Sequence, residues 1–363
     1  MSVGAADLTR IRTGVGGALD EFIARQRRDL AGISADLLPC VDAITDLLTG
    51  GKRLRAAFCY WGWRACGGAD CPEIFAAAAA LELLHASALV HDDVMDASDT
   101  RRGQPAAHRR FAAGHVAAGW RGSADAFGSG AAILIGDLLL AWTDEMLRAS
   151  GLGPAAVWRG LRELDAMRTE VFAGQFLDLV AQASGSSAVD SALRVVTYKS
   201  AKYTVERPLH LGAALARPPA ARVAGGGTGQ RDALTGYGIP IGIAFQLRDD
   251  ILGVFGDPAR TGKPVIDDLR EGKRTVLLAI ARERADSVRS AVLDRAIGDQ
   301  RLTEADAEQV RGIITGTDAL AECEAMIEVN VKQALAALDS APITPASKSA
   351  LADLAVAATA RAD

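Results

Sequence analysis

The sequence predicts an all-α protein folded as one large helical domain over residues 1–363. Three observations carry that prediction. Hydrophobic residues make up 49% of the chain but aromatics only 5%, and alanine-rich stretches recur; alanine and leucine are strong helix formers, so this composition leans towards helix. Apolar residues recur in helix-length periods with little strand-like alternation. Glycine- and proline-rich segments punctuate those periods without a change of character that would mark a domain boundary, and no fixed-period repeat is present.

Taken in order, helices are expected at 5–33 and 52–66, the second closing at the Gly67-Gly68 turn. The next two run at 72–98 and 104–118, and a loop at 119–130 (GWRGSADAFGSG) leads into a helix at 127–150. Helices at 154–183 and 187–216 follow, then the loop RPPAARVAGGGTGQ at 217–230 and a helix at 230–255. The segment GDPARTGKP at 256–264 reads as a further loop. Helices at 272–286, 303–315, 317–338 and 344–361 complete the chain.

Charge and cysteine usage exclude several function classes. Forty basic against 45 acidic residues leave a net charge of −5, so there is no cationic surplus for a nucleic-acid backbone. Any phosphate chemistry must rest on locally placed basic residues. The five cysteines show no CxxC spacing, and Cys66 and Cys71 flank a Gly-Gly turn with no matching pair, which reads as free thiols. Residues 1–14 are polar and interrupted by charge, without a signal-peptide core. The longest apolar runs, 74–84 and 131–141, are short or broken by Glu82 and Asp137, below the length of a membrane span. A cytoplasmic protein with no membrane span is expected.

The segment LELLHASALVHDDVMD at 81–96 carries the strongest chemistry. On a helix, Asp92 and Asp96 stack one turn apart, roughly 5.4 Å. Asp93 sits beside them and His85 lies two turns back on the same stripe. Three carboxylates ending an apolar helix repel one another unless a cation neutralises them. Magnesium, bound by one or two carboxylates plus water and substrate phosphates, meets that need. An N-cap or surface cluster is the plain alternative, and it fits one aspartate better than three. Arg101 and Arg102 follow directly in SDTRRGQP. Paired arginines near a carboxylate-bound metal suit a polyanionic phosphate, although a lone RR pair is more often a solvated face.

A counterpart lies in FQLRDDILGVFGDPARTGKP, where Gln246, Asp249 and Asp250 occupy neighbouring positions on one helical face. Position 253, one turn beyond Asp249, is a glycine and cannot ligate. Asp257 precedes Pro258 and reads as a helix-terminal turn residue rather than a ligand. Two acid-bearing helices far apart in sequence make sense if they face each other across a cavity and share one diphosphate. Lys199, Lys263 and Lys273 add positive charge, each weak alone because lysines usually lie at the surface. GGKRLR at 50–55 is stronger: a Gly-Gly entry to a helix exposes backbone N–H groups and places Lys52 and Arg55 on one face.

Read in order, GGKRLR, ELLHASALVHDDVMD, SDTRRG, GDLLL, GQFLDL, YKSAKYT, FQLRDD, FGDPARTGK and DDLREGKRT resemble the trans-isoprenyl diphosphate synthases, or polyprenyl synthetases, across about residues 45–280. Within that family the chain is most similar to geranylgeranyl diphosphate synthases. The resemblance implies an all-α bundle of the isoprenoid synthase type around a deep central cavity, a homodimer, and three magnesium ions per active site. It implies that Asp92 and Asp96 bind ions bridging the allylic diphosphate, that Asp249 holds a further ion, and that Asp93 and Asp250 act through water or hydrogen bonds. Arg101, Lys199 and Lys263 would neutralise the allylic diphosphate, with Lys273 nearby. Lys52, Arg55, His85 and Arg102 would hold the diphosphate of isopentenyl diphosphate, and Gln175 and Asp178 would support the metal-bound water. An allylic carbocation would face the Lys199 carbonyl, the Ser200 hydroxyl and the Gln246 amide oxygen. Two departures stand out: Ser200 where threonine is usual, and Gly253 in place of the last aspartate of the second acidic motif, which leaves Asp249 as the sole direct ligand there.

In the family, bulky residues below the first acidic motif stop chain growth. Here Ser87 and Ala88 are small, which disfavours a strict fifteen-carbon product. Trp142 in GDLLLAWTDEM is a candidate deeper floor, or else an ordinary core or interface aromatic. A twenty-carbon product, geranylgeranyl diphosphate, is expected. A medium-chain or farnesyl diphosphate synthase stays open, as do a class I terpene cyclase and a non-catalytic partner subunit. The cyclase would carry an Asn/Ser/Glu metal triad in place of QLRDD, and the inactive subunit would lack one acidic motif.

Overall fold

The computed structural model describes residues 3–185, 187–216, 226–256 and 266–359. It is all-α. The helices are α1 (Val3–Ile33), α2 (Leu38–Leu48), α3 (Leu54–Ala65), α4 (Pro72–Met95), α5 (Ala107–Ala117), α6 (Ala124–Arg148) and α7 (Pro154–Ser184). Then come α8 (Val189–Val195), a π-helix (Val196–Glu206), α9 (Arg207–Ala216), α10 (Gly226–Phe255), α11 (Asp267–Arg270) and α12 (Val276–Arg284). The last four are α13 (Ser287–Ala296), α14 (Glu304–Gly316), α15 (Ala319–Ser340) and α16 (Pro345–Thr359). Among the described residues the strands are β1 (Thr100–Arg101) and β2 (Gln104–Pro105), an antiparallel pair.

Four features depart from the sequence reading, each for a local reason. Helix α2 opens with Pro39 in its first turn, where the missing N–H costs nothing. Helix α13 buries only Leu293 and Ala296, too few apolar residues to set a visible period. The stretch expected as one helix at 187–216 changes to π geometry for its middle eleven residues. Arg102 and Gly103 both take positive φ, 53° and 73°, so they form a two-residue hairpin turn that the flanking residues do not advertise.

The chain packs into two compact units: residues 1–161 with 211–219, and 162–210 with 220–363. In the first, α4 is the central helix, packed on α6, α1 and α3. Its apolar sequence is long enough to cross a membrane, and so is that of α6, because both helices run through the acidic residues that break the runs on paper. Glu82 is nevertheless accommodated inside the unit. It is buried and paired with Arg53 at 2.9 Å, and most of α4 is core. On α6, by contrast, Phe127, Ile133 and Leu134 are exposed. In the second unit, α10 packs against the π-helix and α15, over a core that includes Leu247, Ile251, Leu277, Val310 and Ile314.

Candidate active site

In the first unit, α4 ends at Met95 and Asp96 is its C-cap, with the Asp96 N–H on the Asp92 carbonyl at 2.8 Å. The C-terminal end of a helix carries partial negative charge. Asp92, Asp93 and Asp96 therefore sit where both the helix dipole and one another disfavour them. Cationic partners offset this. Asp93 is buried, and its Oδ1 accepts from both Nε (2.8 Å) and Nη2 of Arg101. The hairpin β1–β2 supplies that arginine, so Asp93 serves first to orient Arg101.

The same hairpin turns Arg102 back towards the Gly50-Gly51 loop. Its Nη1 donates to the carbonyls of Leu47 (3.3 Å) and Thr49 (3.2 Å), and a Cβ on Gly51 would lie 3.6 Å from its Nη2. Arg53, at positive φ (53°), precedes α3 and turns inward to Glu82. Positive φ at two non-glycine residues, Arg53 and Arg102, is strain of the kind that clusters at functional sites. His85 sits among these cations. Burial, followed by the charges of Arg55, Arg102, Arg101 and Arg53, holds its imidazole well below the usual histidine range. The fold thus gathers four arginines around one neutral histidine, a cluster suited to a polyanion. Arg53 and Glu82 were not singled out from sequence. Lys52 is exposed on the same loop.

In the second unit, YKSAKYT lies within the π-helix, a geometry frequent at functional sites. Glycines on two neighbouring helices let the backbones close in. A Cβ on Gly174 of α7 would lie 2.4 Å from the Lys199 nitrogen, and one on Gly242 of α10 would lie 2.4 Å from the Ala201 Cα. Lys199 Nζ donates to Asp178 Oδ2 at 2.6 Å. Ser200 Oγ donates to Gln246 Oε1 at 2.5 Å, and Gln246 Nε2 donates to Asp250 Oδ1 at 2.7 Å. Ser200, Gln246 and Asp250 therefore form one relay, and the Ser200 oxygen keeps its lone pairs for another partner.

Asp250 is 7% exposed, and its Oδ2 has no hydrogen-bond partner among the described residues. Burial, reinforced by Asp268 and Asp249, pushes its carboxyl up to about 7. Lys273 Nζ is held by Asp268 Oδ1 at 2.7 Å and Glu271 at 2.6 Å. Burial opposes its charge, but the two carboxylates more than compensate and raise it above an ordinary lysine. Asp268 and Glu271 carried no weight as individual residues in the sequence reading. Lys263 and Asp257 lie outside the described residues.

Among the described residues no three His, Cys, Asp or Glu side chains close on one point to form a complete metal cage. A magnesium ion held here would take its remaining ligands from water and substrate phosphates. The orphaned Asp250 Oδ2 and the three acids against the α4 dipole fit such an ion. Trp142 is buried and meets Phe22 of α1 edge-on at 5.9 Å. The buried Ser87 donates to the Gly136 carbonyl of α6 at 2.8 Å, and Ala88 is half-buried.

Residues 39–314 match the polyprenyl synthetase family. The chain is 31% identical over 346 residues to the geranylgeranyl diphosphate synthase of Mycobacterium tuberculosis, across 94% of this chain and 91% of that one. It is 32% identical to the geranylfarnesyl diphosphate synthase of Aeropyrum pernix, across 84% and 88%. A crystal structure of geranylgeranyl pyrophosphate synthase from Corynebacterium glutamicum, complexed with isoprenyl diphosphate and magnesium, is similar at a TM-score of 0.91 and 40% identity, over 98% of this chain and 99% of that one.

Proposed function

The chain belongs to the polyprenyl synthetase family of metal-dependent prenyltransferases, and from that premise we propose that it joins isopentenyl diphosphate to an allylic diphosphate to make geranylgeranyl diphosphate. The observation that carries this reading is the first unit's pairing of a triple-aspartate helix end with a cluster of four arginines and a neutral histidine. One reaction centre with two diphosphates needs both a cation-binding acid set and a separate basic set. A cyclase acting on one diphosphate has little use for the second. The family match runs through both compact units, which supports reading residues 1–363 as one catalytic domain.

In this mechanism Asp92, Asp96 and Asp249 would hold three magnesium ions, with Asp93 and Asp250 acting at one remove. When bound, magnesium neutralises the charge that develops on the departing pyrophosphate. Arg101 and Lys199 share that task, each already oriented by an acid, Asp93 and Asp178 respectively. Lys263 keeps the same role by family resemblance, and Lys273 stands by through its two carboxylates. Arg55, Arg102, His85 and Lys52 bind the diphosphate of isopentenyl diphosphate. The Ser200 oxygen, fixed by Gln246, and the Lys199 carbonyl present negative ends to the allylic cation. The double bond of isopentenyl diphosphate attacks that cation, and the proton it sheds passes to pyrophosphate. The enzyme works in the cytoplasm, as its five free cysteines favour, and as a homodimer, whose interface the exposed apolar residues of α6 would supply.

Mass analysis of products from isopentenyl diphosphate with dimethylallyl, geranyl or farnesyl diphosphate and magnesium tests the reading. A twenty-carbon diphosphate is expected from each starter. Hydrocarbon released from farnesyl diphosphate alone would replace the synthase with a cyclase. Trp142→Ala should lengthen the product, and an unchanged length would remove Trp142 as the floor.

A further inference from the structure

A π-helix is rare and is mostly confined to a single turn, yet here it runs for eleven residues, Val196–Glu206. Something must keep it from relaxing to α geometry, and one face of α7 provides the hold. Glu163, Glu170, Gly174 and Asp178 lie on one stripe of that helix. Asp178 takes the Lys199 ammonium, Gly174 admits the Lys199 backbone, and Glu170 takes Lys202 and Arg207. Glu163 meets Arg207 again at 3.3 Å, just past the end of the π-helix.

Glu170 makes the decisive contact. Lys202 Nζ donates to its Oε1 at 2.8 Å, while Arg207 Nε and Nη2 donate to Oε2 and Oε1 at 2.6 and 2.7 Å. On an α-helix, side chains five residues apart leave the axis roughly 140° from each other. Here the Arg207 N–H donates to the Lys202 carbonyl, the i→i+5 bond of π geometry, and the two side chains emerge together. One carboxylate therefore ties the same two residues that this π-type backbone bond joins. Burial opposes its charge, but the bonds from Arg207 and then Lys202 outweigh it and hold it below the ordinary glutamate range.

An α-type alternative is built into the same segment. Glu206 lies four residues beyond Lys202, the spacing of an α-helical ion pair. It is buried, its Oε1 accepts from Thr235, and its Oε2 has no hydrogen-bond partner among the described residues. Lys202 Nζ stands 3.8 Å from that oxygen, held off by its bond to Glu170. We infer that Glu170 is a positioning residue that clamps the π-helix in register, and so fixes where the Lys199 carbonyl and the Ser200 hydroxyl point. The inference rests on the proposed role of those two groups beside the allylic cation. Without the clamp, Lys202 takes Glu206, the last turn tightens to α, and the one-residue slip turns Lys199 and Ser200 by roughly 100° relative to α9.

Steady-state kinetics of the full chain with isopentenyl diphosphate, farnesyl diphosphate and magnesium, paired with amide hydrogen exchange, test this. Glu170→Gln should lower kcat about tenfold and leave KM for both substrates within about twofold. It should also speed exchange across residues 196–206 but not in α15. Lys202→Met cuts the clamp from its other end without touching α7, and should match it if Glu170→Gln fails to fold. Adding Glu206→Gln to Glu170→Gln removes the competing carboxylate and should restore part of kcat, whereas a merely structural ion pair would show no such rescue. Glu163→Gln should lower the melting temperature and leave kcat within about twofold. Unchanged exchange at 196–206 in both Glu170→Gln and Lys202→Met would overturn the clamp. If exchange speeds up while kcat holds, Ser200→Ala separates the two failures. A slow Ser200→Ala enzyme then overturns the inference alone, and a fully active one overturns the reading of Ser200 on which it rests.

Discussion

The two acidic clusters meet the same electrostatic problem with different materials. The first is contiguous: Asp92, Asp93 and Asp96 end a single helix, and the arginine that answers Asp93 arrives on a hairpin eight residues later. The second is assembled from α10, the π-helix and α11, and its compensation is unequal. Asp268 has Lys273, but Asp250 is buried with one oxygen unanswered and a carboxyl lifted to about 7. A cluster whose buried acid is held by an arginine tolerates the loss of a cation better than one whose buried acid is held only by an amide. The second cluster should therefore depend on magnesium for order, and the first mainly for turnover.

The largest expected effect follows from that division. Asp92→Asn should lower kcat by about 10³-fold, on the scale of removing a principal stabiliser of developing charge. It should leave the melting temperature without magnesium almost unchanged. Asp249→Asn should cost less, about 10²-fold, because Asp250 and Asp268 remain. It should also abolish most of the thermal stabilisation that magnesium and pyrophosphate give. Steady-state kinetics and melts on both variants decide this, and the opposite ranking would break the contrast.

A smaller effect separates the units by pH, through His210 in the second and His85 in the first. His210 lies in the second unit, its Nε2 at 3.0 Å from the Thr235 hydroxyl, which donates its one proton to Glu206. Burial and then Arg231, opposed by Glu163 and assisted by Arg207, depress it from 6.5 to about 3. The unfolded chain thus takes up a proton before the folded one does. Stability from this group is complete above pH 6.5 and drains away as pH falls towards 3. Denaturant unfolding between pH 4 and 7 should show that slope, and His210→Gln should flatten it. His85 is also held neutral, first by burial and then by cations that a diphosphate would cancel. Pyrophosphate should raise its pKa and drive proton uptake, visible in the imidazole NMR shifts. A silent His85 would dissociate it from the anion cluster.

What could be read from sequence follows the same divide. The all-α fold and the α4 aspartates were legible because helix periodicity and a DDxxD run are local signals. Arg53, Glu82 and Asp268 were not, because each matters through a partner many residues away. Glu82 reads as a break in an apolar run and is in fact the buried mate of Arg53. Gly253 reads as a missing ligand, and only the packing of α11 against α10 supplies the oxygen beside it. The π-helix was invisible for a related reason: Gly174 and Gly242, the glycines against which its backbone lies, come from other helices. The GQFLDL motif contained the first of them, but sequence alone does not say which backbone it approaches.

The smallest expected effect probes the relay that ties the π-helix to the second cluster. Ser200 Oγ donates to Gln246 Oε1, which leaves Gln246 Nε2 aimed at Asp250. Ser200→Ala removes the donor and leaves a half-buried amide oxygen unanswered, a cost of about 1–2 kcal/mol or roughly tenfold in kcat if the amide turns. Ser200→Thr keeps the hydroxyl and adds one methyl group. Its rate should stay within about twofold of the parent, since a single methyl near a packed backbone costs little where the rotamer is retained. The pair is more informative than either alone. If threonine is as damaging as alanine, space around the π-helix rather than the hydroxyl governs position 200. If alanine is as active as serine, the relay does not orient Gln246, and the second cluster is set by Asp268 and Lys273 alone.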